Sequence, residues 1–374
     1  MKVSILSMQR IVNYGSFLQA YGLKHILTQL GYDVEFADYK VEPCIVKKAE
    51  AQESEIAQWK EKLFRLENAF KCIAYRIPFD QHKQFYRKYD NEYLSLLGIS
   101  SERNERPVTD VLVVGSDEVF NCIQANPNVG FSLELFGKNS NAKKIISYAA
   151  SFGNTGIKEL EQYGVQSQIG KLLNNFTDIS VRDSNSEQIV EMLINKVPRK
   201  HLDPVLIYDY TKEVELCNCN MPFNDYMVIY AYSGRITVEE GKQIRKFARK
   251  LNLKIVAVGG EHKFCDVSIY PNPFEVLAII KKARYVVTDT FHGTVFSIKF
   301  NKQFGTLIRK GNGETYGNYE KLYDLLKTFS LNSREIVDIN LLEQTLKNPI
   351  DYNRVNEIIK YNRKRTIDYF KEVI

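Results

Sequence analysis

Apolar residues recur along the first 39 positions with two different periods. Val3, Ser4, Ile5 and Leu6 read as a short buried strand. A loop carrying Asn13-Tyr14-Gly15-Ser16 then opens a helix, in which Leu23, Ile26, Leu27 and Leu30 fall at i, i+3, i+4 and i+7. Gly31 stops that helix. Alternation across Asp33-Val34-Glu35-Phe36-Ala37 returns to strand periodicity. A strand, a helix and a strand in this order form a βαβ unit, which calls for a parallel sheet with helices on its faces. Residues 45–106 break the rhythm. They are polar and helical in character, with Trp59, Leu63, Leu66 and Phe70 at helical spacing, and read as an insertion covering the sheet. Strand patterns resume at 110–115, 144–150 and 179–181, and Ser184-Asn185-Ser186-Glu187 fits a capping box for a helix running through Leu193.

Pro204, the cluster 217–224 and Pro222 mark the passage to a second half with the same alternation. It predicts strands at 226–232, 254–259, 285–288 and 305–308, and helices at 237–251, 273–282 and 292–300. The expected fold is α/β, with two Rossmann-like domains facing across a cleft. Their bounds are 1–202, carrying the insertion 45–106, and 203–348. A strongly charged helix within 349–374 is expected to pack back on the first domain.

Composition narrows the function classes. The chain has 374 residues, 44% apolar and 26% charged, and no apolar run long enough to span a bilayer. One basic residue before a short, interrupted apolar run argues against a cleaved signal peptide, which places the protein in the cytoplasm. The net charge of +6 is modest, and basic residues mostly alternate with acidic ones. Nucleic acid is not implied; anionic substrates or a lipid surface are compatible with the charge. Six cysteines are scattered, and Cys217-Asn218-Cys219 has neither a CxxC nor a zinc-finger spacing. The five histidines, 25, 82, 201, 262 and 292, do not pair at ligand spacing, so no metal site is expected. His262, near Glu261 and Asp266, comes nearest and reads as structural.

In doubly wound sheets ligands bind beyond the carboxyl ends of the strands, so polar residues just after strands carry the candidate chemistry. Asn13, Gly15 and Ser16 lie where a small-residue loop enters a helix, and backbone N–H groups there can receive an anion; a plain helix cap is the competing account. Asp117 and Glu118 follow the strand 110–115, where a carboxylate can act as base toward a hydroxyl. Arg182 follows the strand 179–181 and suits a carboxylate or phosphate bidentately, unless it merely pairs with Asp183. Asp289, His292, Gly293 and Thr294 stand at a strand-to-helix switch, which favours a functional role for the histidine. Arg235 adds a further cation after the strand 226–232.

These segments resemble, in order, the motifs of the polysaccharide pyruvyl transferase family. Asn13-Tyr14-Gly15-Ser16-Phe17-Leu18-Gln19-Ala20-Tyr21 is similar to its N-terminal motif. Gly115-Ser116-Asp117-Glu118-Val119-Phe120-Asn121 is similar to its glycine-serine-aspartate-glutamine-x-tryptophan-asparagine segment. Val181-Arg182-Asp183 and Asp289-Thr290-Phe291-His292-Gly293 match its arginine and histidine boxes. Glu118, Phe120 and Thr290 depart from the family's glutamine, tryptophan and serine. The resemblance implies a glycosyltransferase-B-like pair of domains and transfer of the enolpyruvyl group of phosphoenolpyruvate (PEP) to a sugar as a ketal, with no cofactor beyond PEP as donor substrate. On that analogy Arg182, His292, Arg235 and Asn13 hold the donor, His292 is the candidate acid, and Asp117 or Glu118 the base. The expected acceptor is a sugar or lipid-linked oligosaccharide of a cell-surface polysaccharide. Peripheral association at the inner face of a membrane and a homo-oligomer are compatible with this reading. A nucleotide-sugar glycosyltransferase would share the architecture, but the two glutamates eight positions apart that retaining enzymes often carry are replaced by Asp289 and Ser297. A non-catalytic binding protein of the same fold is the remaining alternative.

Overall fold

Strand β1 (Lys2–Leu6) lies between β2 (Asp33–Ala37) and β3 (Thr109–Asp117), parallel to both. The sheet continues through β4 (Ala142–Ala150), β5 (Ser180–Val181) and β6 (Arg199–Lys200), giving the order β2-β1-β3-β4-β5-β6. β3 is buried along almost its whole length because helices cover both faces, which is why it reads as a continuous apolar run. This is a computed structural model, and it describes residues 1–46, 79–309 apart from 218, 220 and 222, and 319–374, with nothing described for the side chains of 79–83.

The second sheet holds β7 (Tyr226–Tyr230), β8 (Lys254–Val258), β9 (Val267–Ile269), β10 (Tyr285–Thr288), β11 (Gln303–Leu307) and β12 (Glu335–Ile336). Its order is β12-β11-β10-β7-β8-β9, again parallel throughout. Three short strands, β6, β9 and β12, carry too few residues to show a period in the sequence.

Met1–Val46, Tyr89–Tyr210 and Tyr352–Ile374 form one unit, and Thr211–Asp351 with helix Phe79–Lys88 forms the other. Two expected boundaries are corrected. Residues 203–210 belong to the first unit because helix Pro204–Ile207 is wholly buried there and Tyr210 donates a hydrogen bond to the carbonyl of Leu18. The insertion 45–106 is not one body: helix Phe79–Lys88 goes with the second unit, whereas the turn Tyr89–Tyr93 goes with the first, where the Tyr89 hydroxyl donates to the carbonyl of Ile11 at 2.7 Å. Trp59, Leu63, Leu66 and Phe70 lie outside the described residues. The helix near 184 is capped by Asp183, whose side chain accepts from the Ser186 amide, and not by Ser184.

The C-terminal helix Tyr352–Val373 is part of the first unit, where Tyr369 donates to the Ser147 carbonyl at 2.8 Å and Thr366 bonds the Tyr148 hydroxyl at 3.0 Å. Among the described residues no helix is long and apolar enough to cross a membrane.

Beside that helix, His201 is buried between Tyr148 and Tyr369, with Nδ1 2.7 Å from the Ser180 hydroxyl. Burial, and then the charges of Arg365 and Arg199, push its pKa down to about 4. A base that is harder to protonate when folded contributes stability that is whole above the unfolded value of about 6.5 and is lost as pH falls toward 4. Between pH 7 and pH 5 this site alone should cost the fold about 2 kcal/mol. Urea unfolding at both pH values, compared between the native chain and His201→Gln, checks it: the variant should lose correspondingly less on acidification.

Candidate functional site

Strand order decides where each unit can bind a ligand. In the first sheet the chain passes from β1 to β2 on one side and to β3 on the other, so the switch point lies beyond Leu6 and Asp117. In the second sheet the same reversal falls between β7 and β10, beyond Tyr230 and Thr288. The predicted site residues gather at these two places, and each is a cluster in its own unit.

At the first switch point the last residues of strand β3 begin with Gly115, with φ +118°, and a Cβ there would collide with the backbone carbonyl of Tyr148. Only glycine lets β3 run this close to β4. Asp117 follows with φ +79°, a left-handed conformation that few non-glycine residues adopt and that persists where surrounding contacts over-determine it. Those contacts are present. The Asp117 carbonyl accepts from the Ser151 amide at 2.9 Å, and its carboxylate accepts from the Ser16 hydroxyl at 2.8 Å and from the Arg182 guanidinium at 3.3 Å. Arg182 also donates to Asp203 at 3.1 Å. Its side chain is 3% exposed and that of Asp203 is fully buried. Burial alone would depress the Arg182 pKa, but Asp117 and Asp203 more than offset it, and the guanidinium is held firmly charged.

Two expectations about this cluster change. Among the described residues Asp183 caps a helix, and Arg182 donates instead to Asp117 and Asp203, so it serves as the counter-ion that fixes Asp117. The Gly15 and Ser16 amides do not await an anion. Both donate to the Asn13 side chain, at 2.7 and 3.2 Å, so Asn13 is a helix cap and Ser16 serves Asp117. Glu118 accepts from the Asn121 amide nitrogen at 2.9 Å.

At the second switch point Thr288 ends β10 with its hydroxyl on the Tyr230 carbonyl, and Thr290 caps helix Phe291–Lys299 by accepting from the Gly293 amide at 2.9 Å. Asp289, between them, is fully buried. Arg235, after β7, brings a guanidinium nitrogen to 3.9 Å from its carboxylate while lying over the Tyr232 ring at 4.4 Å. Burial pushes the Asp289 pKa up to about 6, and the opposing pull of Arg235 and then Arg309 does not cancel it. His292 stands in the first turn of the same helix, in ring contact with Phe291 and Phe296. Two residues of this motif are structural. A Cβ on Gly293 would strike the Thr288 hydroxyl, so the glycine serves helix-to-strand packing and not a ligand. Thr294 is buried with its hydroxyl on the Thr290 carbonyl and Thr306, which removes it from the expected binding set.

Three participants were not singled out in the sequence. Arg309 donates to Glu240 with both terminal nitrogens, at 2.5 and 2.9 Å, and to the Arg235 carbonyl at 3.0 Å. Burial alone would raise the Glu240 pKa, but Arg309 and the Thr237 amide hold it below the usual range. The pair therefore braces the loop that carries Arg235. Arg309 lies just after β11, so the rule about strand ends would have found it. Glu240 was hidden within a capping box, and Asp203 in a polar turn before a proline. His262 donates to the Ala231 carbonyl at 3.1 Å, which accounts for it as a structural group. Among the described residues no group of three or more His, Cys, Asp or Glu is placed to hold a metal.

Because the folded Asp289 pKa is raised, its favourable contribution is whole below about pH 3.8 and is lost as pH rises through about 6. At neutral pH the native chain therefore carries a penalty of order 1–3 kcal/mol for an ionised, buried carboxylate. Asp289→Asn is expected to stabilise the protein by that amount at pH 7.5 and by much less at pH 4.5, read as a shift in the urea midpoint.

The sequence model of a family described as polysaccharide pyruvyl transferase matches residues 13–311. No curated protein sequence matches the chain. Among solved structures, a putative UDP-N-acetylglucosamine 2-epimerase from Listeria monocytogenes superposes with a TM-score of 0.51 at 9% identity, covering 100% of this chain and 97% of that one. The S. aureus MnaA–UDP co-structure gives 0.47 at 12% identity, over 100% and 97% of the two chains. The E. coli heptosyltransferase WaaC with ADP-2-deoxy-2-fluoro heptose gives 0.39 at 12%, over 97% and 100%. The fold is that of two Rossmann-like domains of the glycosyltransferase-B-like class.

Proposed function

We propose, because this chain belongs to the polysaccharide pyruvyl transferase family, that it moves the enolpyruvyl group of PEP onto two hydroxyls of one sugar, forming a cyclic ketal and releasing phosphate. The observation that carries this reading is the cluster beyond β7 and β10, where Arg235, braced by Arg309 and Glu240, stands beside the buried Asp289 on the strand end that leads to His292. PEP presents a carboxylate and a phosphate to a binding site, and reaction requires an acid at its methylene carbon.

On this reading Arg235 holds one anionic group of PEP, and the start of helix Phe291–Lys299 faces the other. A proton passes to the methylene carbon, and its π electrons form the new C–H bond. Positive charge is left at C2. A sugar hydroxyl adds there, its proton going to a base. The C2–O bond to phosphate then breaks with its electron pair on phosphate, and the second hydroxyl closes the ring. Of the two hydroxyl protons, one balances the proton now on the methyl group and the other ends on phosphate. Arg235 and Arg309 also set the buried charge of Asp289, so Asp289 keeps Arg235 in place instead of touching the reacting carbon.

Thermal melting with PEP and with UDP, followed by phosphate release from PEP over a panel of methyl hexosides and N-acetylhexosaminides, tests the proposal. PEP should raise the melting temperature, UDP should not, and phosphate should appear only with an acceptor. A shift with UDP alone would point to nucleotide-sugar chemistry, and PEP binding without phosphate release on any acceptor to a binding protein.

A further inference from the structure

We propose that the groove along helix Val238–Lys250 is a docking surface for an anionic phospholipid membrane. The groove encloses about 1000 Å³ in the second unit. It arises from an omission in the α/β pattern: β8 is joined to β9 through residues 259–266 without a helix, so that flank of helix Val238–Lys250 meets a loop where a packed helix would ordinarily lie. Phe264 from the loop packs closely against Gly241 and supplies part of an apolar floor together with Ile236.

The polar lining is almost of one sign. Lys242, Arg245, Lys246, Arg249, Lys250 and Lys263 stand against a single lining carboxylate, Glu261. Carboxylates outside the lining temper some of these cations: Glu239 lies 3.6 Å from Lys242, Asp266 3.1 Å from Arg245, and Glu343 2.5 Å from Lys250. Lys246 and Arg249 are exposed and have no salt bridge among the described residues. At the start of the helix Val238 is 78% exposed, and Tyr232 nearby in the chain is 44% exposed. Long cationic side chains over an apolar floor, with exposed apolar groups beside them, are what an interfacial helix presents to lipid: stems and apolar groups enter the headgroup region and the charges meet lipid phosphates. The groove is an open, largely apolar trough, which suits a surface better than a free phosphate ion. Nucleic acid would call for exposed aromatic stacking platforms along the cations, and Phe264 is instead spent on Gly241.

Co-sedimentation of the full chain with vesicles of phosphatidylcholine, alone or mixed with phosphatidylglycerol, tests this. Binding is expected only to the mixed vesicles and should weaken as salt rises. The double substitution Lys246→Glu, Arg249→Glu should lower the partition coefficient at least about 30-fold without moving the melting temperature, and Val238→Asp should lower it further. Equal binding to neutral vesicles, undiminished binding by the double variant, or capture of heparin or nucleic acid with no vesicle binding would each overturn the proposal.

Discussion

Arg182→Ala is expected to destabilise the protein by about 3–5 kcal/mol, the largest effect of any single substitution considered. The guanidinium bridges Asp117 and Asp203, and all three side chains are largely withdrawn from water. Removing the cation leaves two carboxylates close together in a medium that solvates them poorly, and the cost is that of uncompensated charge, not of two lost hydrogen bonds. Neutralising the carboxylates should recover part of it. In urea titrations the triple variant Arg182→Ala, Asp117→Asn, Asp203→Asn is therefore expected to be more stable than Arg182→Ala alone. Arg182→Lys should rescue little, because a single ammonium cannot present two separate nitrogens to two carboxylates. A loss below about 1 kcal/mol for Arg182→Ala would contradict this account of a buried charge cluster.

His292→Ala is expected to lower kcat for phosphate release from PEP by about 10²- to 10⁴-fold, the usual contribution of a positioned acid or base. It stands in the first turn of helix Phe291–Lys299, where it could either hold the donor or hand over a proton. His292→Gln separates the two roles. A glutamine amide can still donate to a phosphate oxygen, so KM for PEP should approach the native value while kcat stays low. If His292→Ala turns over normally, His292 is not the acid. If His292→Gln restores kcat as well as KM, the residue binds and does not transfer a proton.

Strand and helix positions were readable where periodicity is strong. β1, β2 and β10 fall where alternation and apolar runs predict them, and helix Tyr14–Gln29 follows the spacing of Leu23, Ile26 and Leu27. Asp117, Arg182, Arg235 and His292 could be picked out as candidates because each lies at or a few residues past the end of a strand in a parallel sheet, the end where a doubly wound fold binds ligands. The roles within the motifs were not readable. Gly293 and Thr294 look like ligand contacts in one dimension; the close approach of the helix to Thr288 and Thr306 makes them packing groups.

The sequence by itself determined the class of fold, two successive rounds of α/β alternation, and the strand ends at which candidate residues lie. It could do so because burial on both faces of a sheet and on one face of a helix is written as local period. Which partners those residues take was decided only by tertiary structure. Asp203 reaches Arg182 across 21 positions, Ser16 reaches Asp117 across 101, and Arg309 reaches Glu240 across 69. Charge pairing acts through space and leaves no periodic trace along the chain, so the counter-ions that fix Asp117 and brace Arg235 emerge only once the strand order is known.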